Sequence, residues 1–377
     1  MKKVISLALL LVTCLISTNI HAQEVKYLDV KIGQNYSLNQ NVNISSKSNI
    51  YIIDNNYNKV SDLNTNNITV IYNGKSIDIK NNGKIIFSDF PKDGSLLLSS
   101  QDGLKIANSY RGHISFRIIN NTLQVVNNVE IEDYLKGVVP KELSASYPKE
   151  ALKAQAICSR SFALKNINKL KKYGYNLDDT TRCQVYGGKT IEDKRSNEAV
   201  EETKGIVAKY NNSIADTIFG ASSGGYTANS SEVWGGKPVN YLSAFEDPYS
   251  TKYVWNYKIS DNEIENKLAA NKINIGKFLC FNVIEKDNSG RNKTIEIIGT
   301  EKTEKVSSNK FRTIFGNTKI KSTLFSIEDN GDSYTINGKG YGHGVGMSQY
   351  GAVEMAKQGK TYKDIISFYF PGVTLDE

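Results

Sequence analysis

The spacing of apolar positions changes from two residues to three and four near residue 130, and that change divides the chain. Before it, Tyr27-Leu28-Asp29-Val30-Lys31-Ile32 alternates, residues 49–54 carry Ile50, Tyr51, Ile52 and Ile53, and residues 68–72 are β-branched and aromatic. The turn pairs Asn73-Gly74 and Asn82-Gly83 punctuate these runs, the second just ahead of Lys84–Phe87. Short runs at roughly ten-residue spacing predict strands, and together a β-rich module over residues 23–105, a small sandwich or barrel. Two further strands are expected at 114–119 and 123–126, joined at Asn120-Asn121.

From residue 131 the apolar spacing turns helical. Ile131, Tyr134, Leu135 and Val138 recur on one face, with Asp133 in the first turn, and Gly137 and Pro140 end the pattern. Glu142 then falls in a short turn before a second helix, expected from about Pro148 to Lys172. Pro148 suits a first helical turn, and Ser146 is a candidate cap. Leu152, Ala156, Ser159, Ala163, Ile167 and Leu170 make its apolar stripe. Lys169, Lys171 and Lys172 sit where the helix dipole favours them, and Gly174 closes the segment. Ala, Cys and Ser around Arg160 suggest that another backbone passes close by.

The loop Cys183-Gln184-Val185-Tyr186-Gly187-Gly188, a polar helix at 196–203 and strands at 206–210 and 214–219 follow. They lead into Gly220-Ala221-Ser222-Ser223-Gly224-Gly225. Residues 257–327 are rich in Asn and Lys and read as an insertion with its own helix and strands. The chain then carries a glycine run around His343 and a short amphipathic helix at 352–358. The fold class expected is α+β.

Composition adds a destination. A chain of 377 residues with 39 % apolar content can bury two or three cores. Lys2 and Lys3, an apolar run over 4–16 and a polar stretch ending His21-Ala22 read as an export signal over residues 1–22. That run is short of the roughly 20 residues of a bilayer span, which leaves an uncleaved membrane anchor as the alternative. Cys14 lies inside it behind Thr13, a poor context for a lipoprotein. Removing 1–22 takes two lysines and no acids from a net charge of +8, leaving +6. For an exported chain with no arginine-rich block, anionic surface polymers or membranes are better partners than nucleic acid. Cys158, Cys183 and Cys280 remain, an odd set with no CxxC, so one bridge or three free thiols.

Several constellations could carry chemistry. Glycines 338, 340, 342, 344, 346 and 351 permit close approach around His343, as a plain tight corner would, but fit no phosphate-loop spacing. Gly220-Ala221-Ser222-Ser223-Gly224 matches GxSxG formally, with His343 in the right chain order. Yet Tyr226-Thr227-Ala228-Asn229 is a poor helix start, and small hydroxyls flanked by glycines more often line a groove. Cys158, mid-helix, reads as buried and inert. Cys183 lacks partners for a tetrahedral zinc site. Glu142 stands among Val138, Val139, Pro140 and Leu143, where partial burial would raise its pKa into the range useful to a group that is acid first and base second.

Four stretches in order, VVPKEL…YPKEALKAQA…SRSFAL, CQVYGG, GASSGGYT…VWGG and GYGHGVGMSQYGA, resemble the SpoIID/LytB family of bacterial cell-wall proteins. The resemblance covers residues 105–377 outside the insertion. It implies a mixed α/β catalytic domain with a groove over 106–377, interrupted near 257–327. The sporulation member is a lytic transglycosylase acting on peptidoglycan strands that lack stem peptides, and another member was described as an amidase enhancer.

By this resemblance Glu142 is the catalytic acid. Gln155, Arg160, Ser161, Gln184, Tyr186, Ser222, Ser223, His343 and Gln349 are expected to line the groove, with the helix through Gln155, Arg160 and Ser161 as one wall and His343 as the other. The implied reaction needs no cofactor and no metal. The implied partners are glycan strands, with a cell-wall amidase or a membrane protein as further candidates. The alternative is a non-catalytic wall-binding protein that stimulates an N-acetylmuramoyl-L-alanine amidase. Some sporulation members bind zinc through a Cys and a His just ahead of the CQVY cysteine. Here that place reads Asp178-Asp179-Thr180-Thr181-Arg182, so packing is expected to replace the metal.

Overall fold

The computed structural model describes residues 26–376, so the export signal expected over 1–22 lies outside the described residues. The strand Tyr27–Tyr36 buries Leu28, Val30 and Ile32, every second residue, and pairs antiparallel along Thr122–Glu130. That partner forms a hairpin with His113–Ile119 through Asn120 and Asn121, both at positive φ (48° and 57°), as a tight primed turn requires. The sheet continues through Leu96–Ser99, Val42–Asp54, Lys59–Tyr72, Ile77–Asn81 and Lys84–Phe87, eleven strands in all.

The boundary expected at residue 105 does not separate two cores. The first strand lies between Thr122–Glu130 and the short parallel strand Leu177–Asp178, and one hydrophobic core runs from Leu28 to Phe370. Without Tyr27–Tyr36 the strand Thr122–Glu130 would present an open edge, so the N-terminal strands complete the domain that follows them.

The α-helices among the described residues are α1 (Ile131–Lys136), α2 (Val139–Glu142), α3 (Lys149–Lys165), α4 (Lys194–Glu202), α5 (Ser230–Trp234), α6 (Asp261–Ala270), α7 (Ser308–Phe315), α8 (Gln349–Lys357) and α9 (Tyr362–Tyr369). Helix α3 is buried on nearly every side. Its Ala151, Ala154, Ala156 and Ala163 leave room for α4, α8 and α9 to pack against it. It stops at Lys165, short of the expected Lys172. The Asn166 amide donates to the Phe162 carbonyl (3.0 Å) and to Asp216 (3.1 Å), turning the chain, and a 3₁₀ turn at Lys171–Tyr173 ends on Gly174 at φ +79°. Ser146 does not cap α3. Its hydroxyl pairs with that of Ser144 (2.9 Å), and Pro148 holds the cap position. The strand expected at 214–219 is two short pieces, Ser213–Ile214 and Phe219–Gly220.

The insertion has its own core, from Trp255 to Ile336, and two three-stranded sheets. Its first strand, Val254–Ser260, pairs along its last, Ser333–Lys339, so the unit is wider than 257–327 and both its ends meet the main body together. Cys158, Cys183 and Cys280 are free thiols. Cys158 sits 3.8 Å from the Met347 sulfur, and burial pushes its thiol well up, out of reach of nucleophilic use. Among the described residues no helix is long and apolar enough to cross a membrane.

Candidate active site

Glu142 is the last residue of α2, a single turn anchored by the buried side chains of Val138, Val139 and Leu143. The loop 183–188 lies directly on this corner. A Cβ on Gly137 would come within 2.5 Å of the Tyr186 ring, so only glycine admits the loop, and the Gly187 N–H donates to the Gly137 carbonyl (3.0 Å). The same approach brings the Val185 N–H to Glu142 Oε1 at 2.9 Å. From the other side comes the first residue of α8. Gln349 Nε2 donates to the Glu142 carbonyl (2.9 Å) and to Gln155 Oε1 (3.2 Å), and Gln155 Nε2 donates to Ser159 Oγ (3.1 Å). Three chain segments far apart in sequence therefore hold one acid.

Burial raises the Glu142 pKa, and the Val185 hydrogen bond offsets part of that shift. No cation forms an ion pair with it among the described residues. Gln184 is buried beside it, accepting from the Tyr134 hydroxyl (3.3 Å), with its Nε2 lacking a protein partner.

A cavity of about 330 Å³ is linked to this corner through the chain, although Glu142 does not line it. Tyr147, five residues beyond Glu142, and Tyr350, next to Gln349, both line it. Tyr253, at the start of the insertion, stacks on Tyr350 with ring centroids 5.4 Å apart, and its ring lies 5.9 Å from that of Tyr341. The Lys321 ammonium sits over both, 5.2 Å from the Tyr253 ring and 6.0 Å from the Tyr341 ring, and donates to the Tyr253 hydroxyl (3.3 Å). No carboxylate forms an ion pair with Lys321 among the described residues. Flat faces with polar rims suit the C–H face of a sugar ring.

The remaining expected groove residues divide. Ser222 lines the same cavity, but its hydroxyl pairs with Ser250 (2.9 Å), which pairs in turn with Ser348 (2.8 Å). Ser223 donates to a buried Asp247 (2.7 Å) that also accepts from Tyr369. No helix follows these serines before α5, so they do not form a nucleophile elbow. Instead they cross the glycine run. Ser222 and Tyr341 exchange main-chain hydrogen bonds, and a Cβ on Gly224 (φ +75°) would lie 2.7 Å from the Gly340 nitrogen.

His343 is not the opposing wall. Its Nδ1 accepts from the Val345 N–H (3.0 Å), its ring lies 5.0 Å from that of Trp234, and it lines a different cavity against the insertion. Burial first, then the nearby Arg291, pushes its pKa down to about 4, so it is neutral and its Nδ1 is already used. Across from α3 it is Gln349, and not His343, that contacts Glu142.

Arg160 and Ser161 do not reach the groove either. Arg160 is five residues from Gln155, about 140° around the helix. It is 1 % exposed and forks onto Glu132 through Nε (2.8 Å) and Nη2 (2.6 Å), with Nη1 on the Ile206 carbonyl (3.1 Å). The backbone expected beside it is there, and it is what Arg160 binds. Ser161 Oγ donates to Ile157 (2.8 Å) and accepts from Ala208 (2.9 Å). The Tyr186 hydroxyl donates to Asn127 (2.9 Å), so this ring positions the loop and turns away from any substrate. Tyr147 and Tyr350 stand in two of the motifs quoted above, whereas Tyr253 and Lys321 carry no signal in sequence.

Ahead of Cys183 the loop is tied by side-chain hydrogen bonds. Asp178 accepts from the Thr180 hydroxyl (2.7 Å) and from Arg182 Nε (2.6 Å). The described residues hold no group of three or more His, Cys, Asp or Glu side chains placed to bind a metal ion.

Comparison with known proteins follows the same lines. The SpoIID family model, described as Stage II sporulation protein, matches residues 119–210, a window that holds Glu142, α3 and the 183–188 loop. A model of a domain of unknown function, DUF8618, matches residues 240–346. An uncharacterised protein of Brachyspira hyodysenteriae is 36 % identical over 291 residues, 75 % of this chain and 77 % of its own length. Stage II sporulation protein D of Bacillus subtilis is 31 % identical over 282 residues, 70 % of this chain and 79 % of its own. The amidase enhancer of Bacillus subtilis is 32 % identical over 289 residues, 64 % of this chain but 40 % of the enhancer's length.

Proposed function

This chain belongs to the SpoIID/LytB family of cell-wall proteins, and from that premise we propose that it is an exported lytic transglycosylase that cuts MurNAc–GlcNAc bonds in peptidoglycan strands. The observation that carries the reading is Glu142: one carboxyl whose pKa burial raises, with one oxygen held by the Val185 N–H, in a segment that leads within five residues to Tyr147 in the wall of a tyrosine-lined cavity.

The glycan strand lies across Tyr350 and Tyr253. Glu142 donates its proton to the glycosidic oxygen, and the bond from that oxygen to MurNAc C1 breaks with an oxocarbenium-like centre. Glu142, now a carboxylate, removes the proton of the sugar's own C6 hydroxyl. The O6–C1 bond closes, giving a 1,6-anhydro-MurNAc end and restoring the acid. No water is consumed, so the second carboxylate of a hydrolase is not needed.

The test is digestion of glycan strands stripped of stem peptides, with mass spectrometry of the products. Anhydro ends, lighter than reducing ends by one water, are expected. Reducing ends would make the protein a hydrolase, and uncut strands would end the proposal. In that last case the likeness to the amidase enhancer favours a non-catalytic role, read as faster stem-peptide release when a wall amidase is mixed with this protein.

Removing the aromatic wall should act on binding. Tyr253→Ala is expected to raise KM for glycan roughly three- to tenfold with kcat nearly unchanged, the scale of one lost aromatic contact. Lys321, without a carboxylate partner, meets the lactyl carboxylates that stripped strands expose. Lys321→Gln should therefore raise KM for such strands at low salt and leave KM for uncharged chitooligosaccharides unchanged. A fall in kcat alone for either variant would remove these residues from substrate binding.

A further inference from the structure

A second cavity, of about 890 Å³ and so within the size range of ligand sites, opens where the insertion meets the serine–glycine loop. Much of it is the outer face of the sheet formed by Val254–Ser260, Ser333–Lys339 and Phe325–Asp329. Side chains alternate along these strands. Ile259 and Ile336 turn into the insertion's core, and Val254, Asn256, Ser326, Asn337 and Lys339 turn outward. The register sets Asn256, Asn337 and Ser326 side by side across the three strands. Both asparagine amides are exposed, with no protein hydrogen bond among the described residues. Gly224, Gly225 and Tyr226 of the main body line the cavity too, and they are pinned to the insertion. Arg291, 1 % exposed, donates through Nη2 to the Ser223 carbonyl (2.6 Å) and through Nη1 to the Tyr226 carbonyl (2.9 Å), and its neighbour Gly290 is part of the wall.

Charge selects the ligand. No aspartate or glutamate lines this cavity, whereas Lys286 and Lys339 do. Both lysines are exposed, and neither forms an ion pair among the described residues. Two unneutralised ammonium groups favour an anion. The free amides of Asn256 and Asn337 suit hydroxyl and N-acetyl groups, and Val254, 66 % exposed, offers an apolar contact to a methyl. We infer that this cavity binds an acidic, N-acetylated saccharide, its negative charge facing Lys286 and Lys339, at a site separate from Glu142. The choice of a saccharide over another anion rests on the function proposed above, but binding here needs no cleavage. A muramic acid residue without its stem peptide carries that set of groups: a free lactyl carboxylate, a methyl and an N-acetyl. The domain matched at 240–346 supplies most of the surface, which gives the insertion a role in gripping the strand.

The mature protein carrying Glu142→Gln and Tyr253→Ala, in which cleavage is blocked and the groove weakened, is titrated by calorimetry with a tetrasaccharide of alternating N-acetylglucosamine and unsubstituted N-acetylmuramic acid. Saturable binding is expected. Adding Lys286→Gln and Lys339→Gln, two exposed positions, should weaken it roughly five- to tenfold and leave the weaker binding of neutral chitotetraose unchanged. Asn337→Ala should weaken both ligands. No saturable binding, or binding that the two lysine changes leave intact, overturns the site. A glycerol-phosphate polymer that binds at least as tightly with the same lysine dependence would make it a polyphosphate site and overturn the saccharide assignment. Uncut strands in the digestion above, with this binding intact, would end the proposed cleavage and leave the site standing.

Discussion

Glu142→Gln cuts the rate of glycan cleavage by about 10²–10⁴-fold, the usual contribution of one positioned acid–base group, and leaves KM nearly unchanged. Glutamine keeps the shape and the oxygen that accepts from Val185, and loses only the proton. In the wild type the first step needs that proton, so cleavage should fall as pH rises through the raised Glu142 pKa. The same shift has a stability consequence of definite sign. The fold favours the neutral carboxyl, so the wild type is destabilised as pH rises above the unfolded value, about 4.3. Glu142→Gln should thus melt above the wild type near neutral pH, and the gap should close below about pH 4. An active, unstabilised Glu142→Gln would mean that the residue is an ordinary solvated glutamate.

Arg160→Ala should cost about 3–5 kcal/mol in urea unfolding, because it strands a buried charge. Glu132, 5 % exposed, would keep only the Gly205 N–H (3.2 Å) in place of two guanidinium bonds, and the Ile206 carbonyl would lose its donor. That cluster ties α1, α3 and the connection after α4, so the loss is global. Arg160→Lys should not rescue it, since a point charge cannot replace the fork. Replacing both partners, Glu132→Gln with Arg160→Met, should cost less than the two changes added, because neither charge is then left alone. If Arg160→Ala instead kept full stability and raised KM for glycan, the residue would belong to the groove after all.

These two residues show why adjacent motif positions read alike in sequence and differ in space. Gln155, Arg160 and Ser161 share one helix and one motif, and the family resemblance makes all three groove candidates. Helical rotation sends Gln155 toward Gln349 and Glu142, and the other two into the body. The unusual glycine surroundings of His343 point it toward Glu142 in sequence, yet those glycines serve the crossing of two backbones and leave its ring against Trp234.

The choice of Glu142 as the acid rests on the family resemblance and remains a proposal, and the strands Ile77–Asn81 and Leu96–Ser99 fall outside the runs expected from sequence. Local pattern was enough for the strands around 27–32, 49–54, 68–72, 84–87, 114–119 and 123–126, the tight Asn120-Asn121 turn, helices α1, α3 and α4 and the inert Cys158. Each depends on neighbours a few residues away: alternation, helical spacing, or an apolar sequence context. The shared sheet that removed the boundary at 105, the Val185 and Gln349 hydrogen bonds around Glu142, and the tyrosine wall joining Tyr147, Tyr253 and Tyr350 depend on pairs 43 to more than 200 residues apart. No periodicity encodes such pairs. They form because burying the two cores brings these segments together, and that burial is a property of the whole chain.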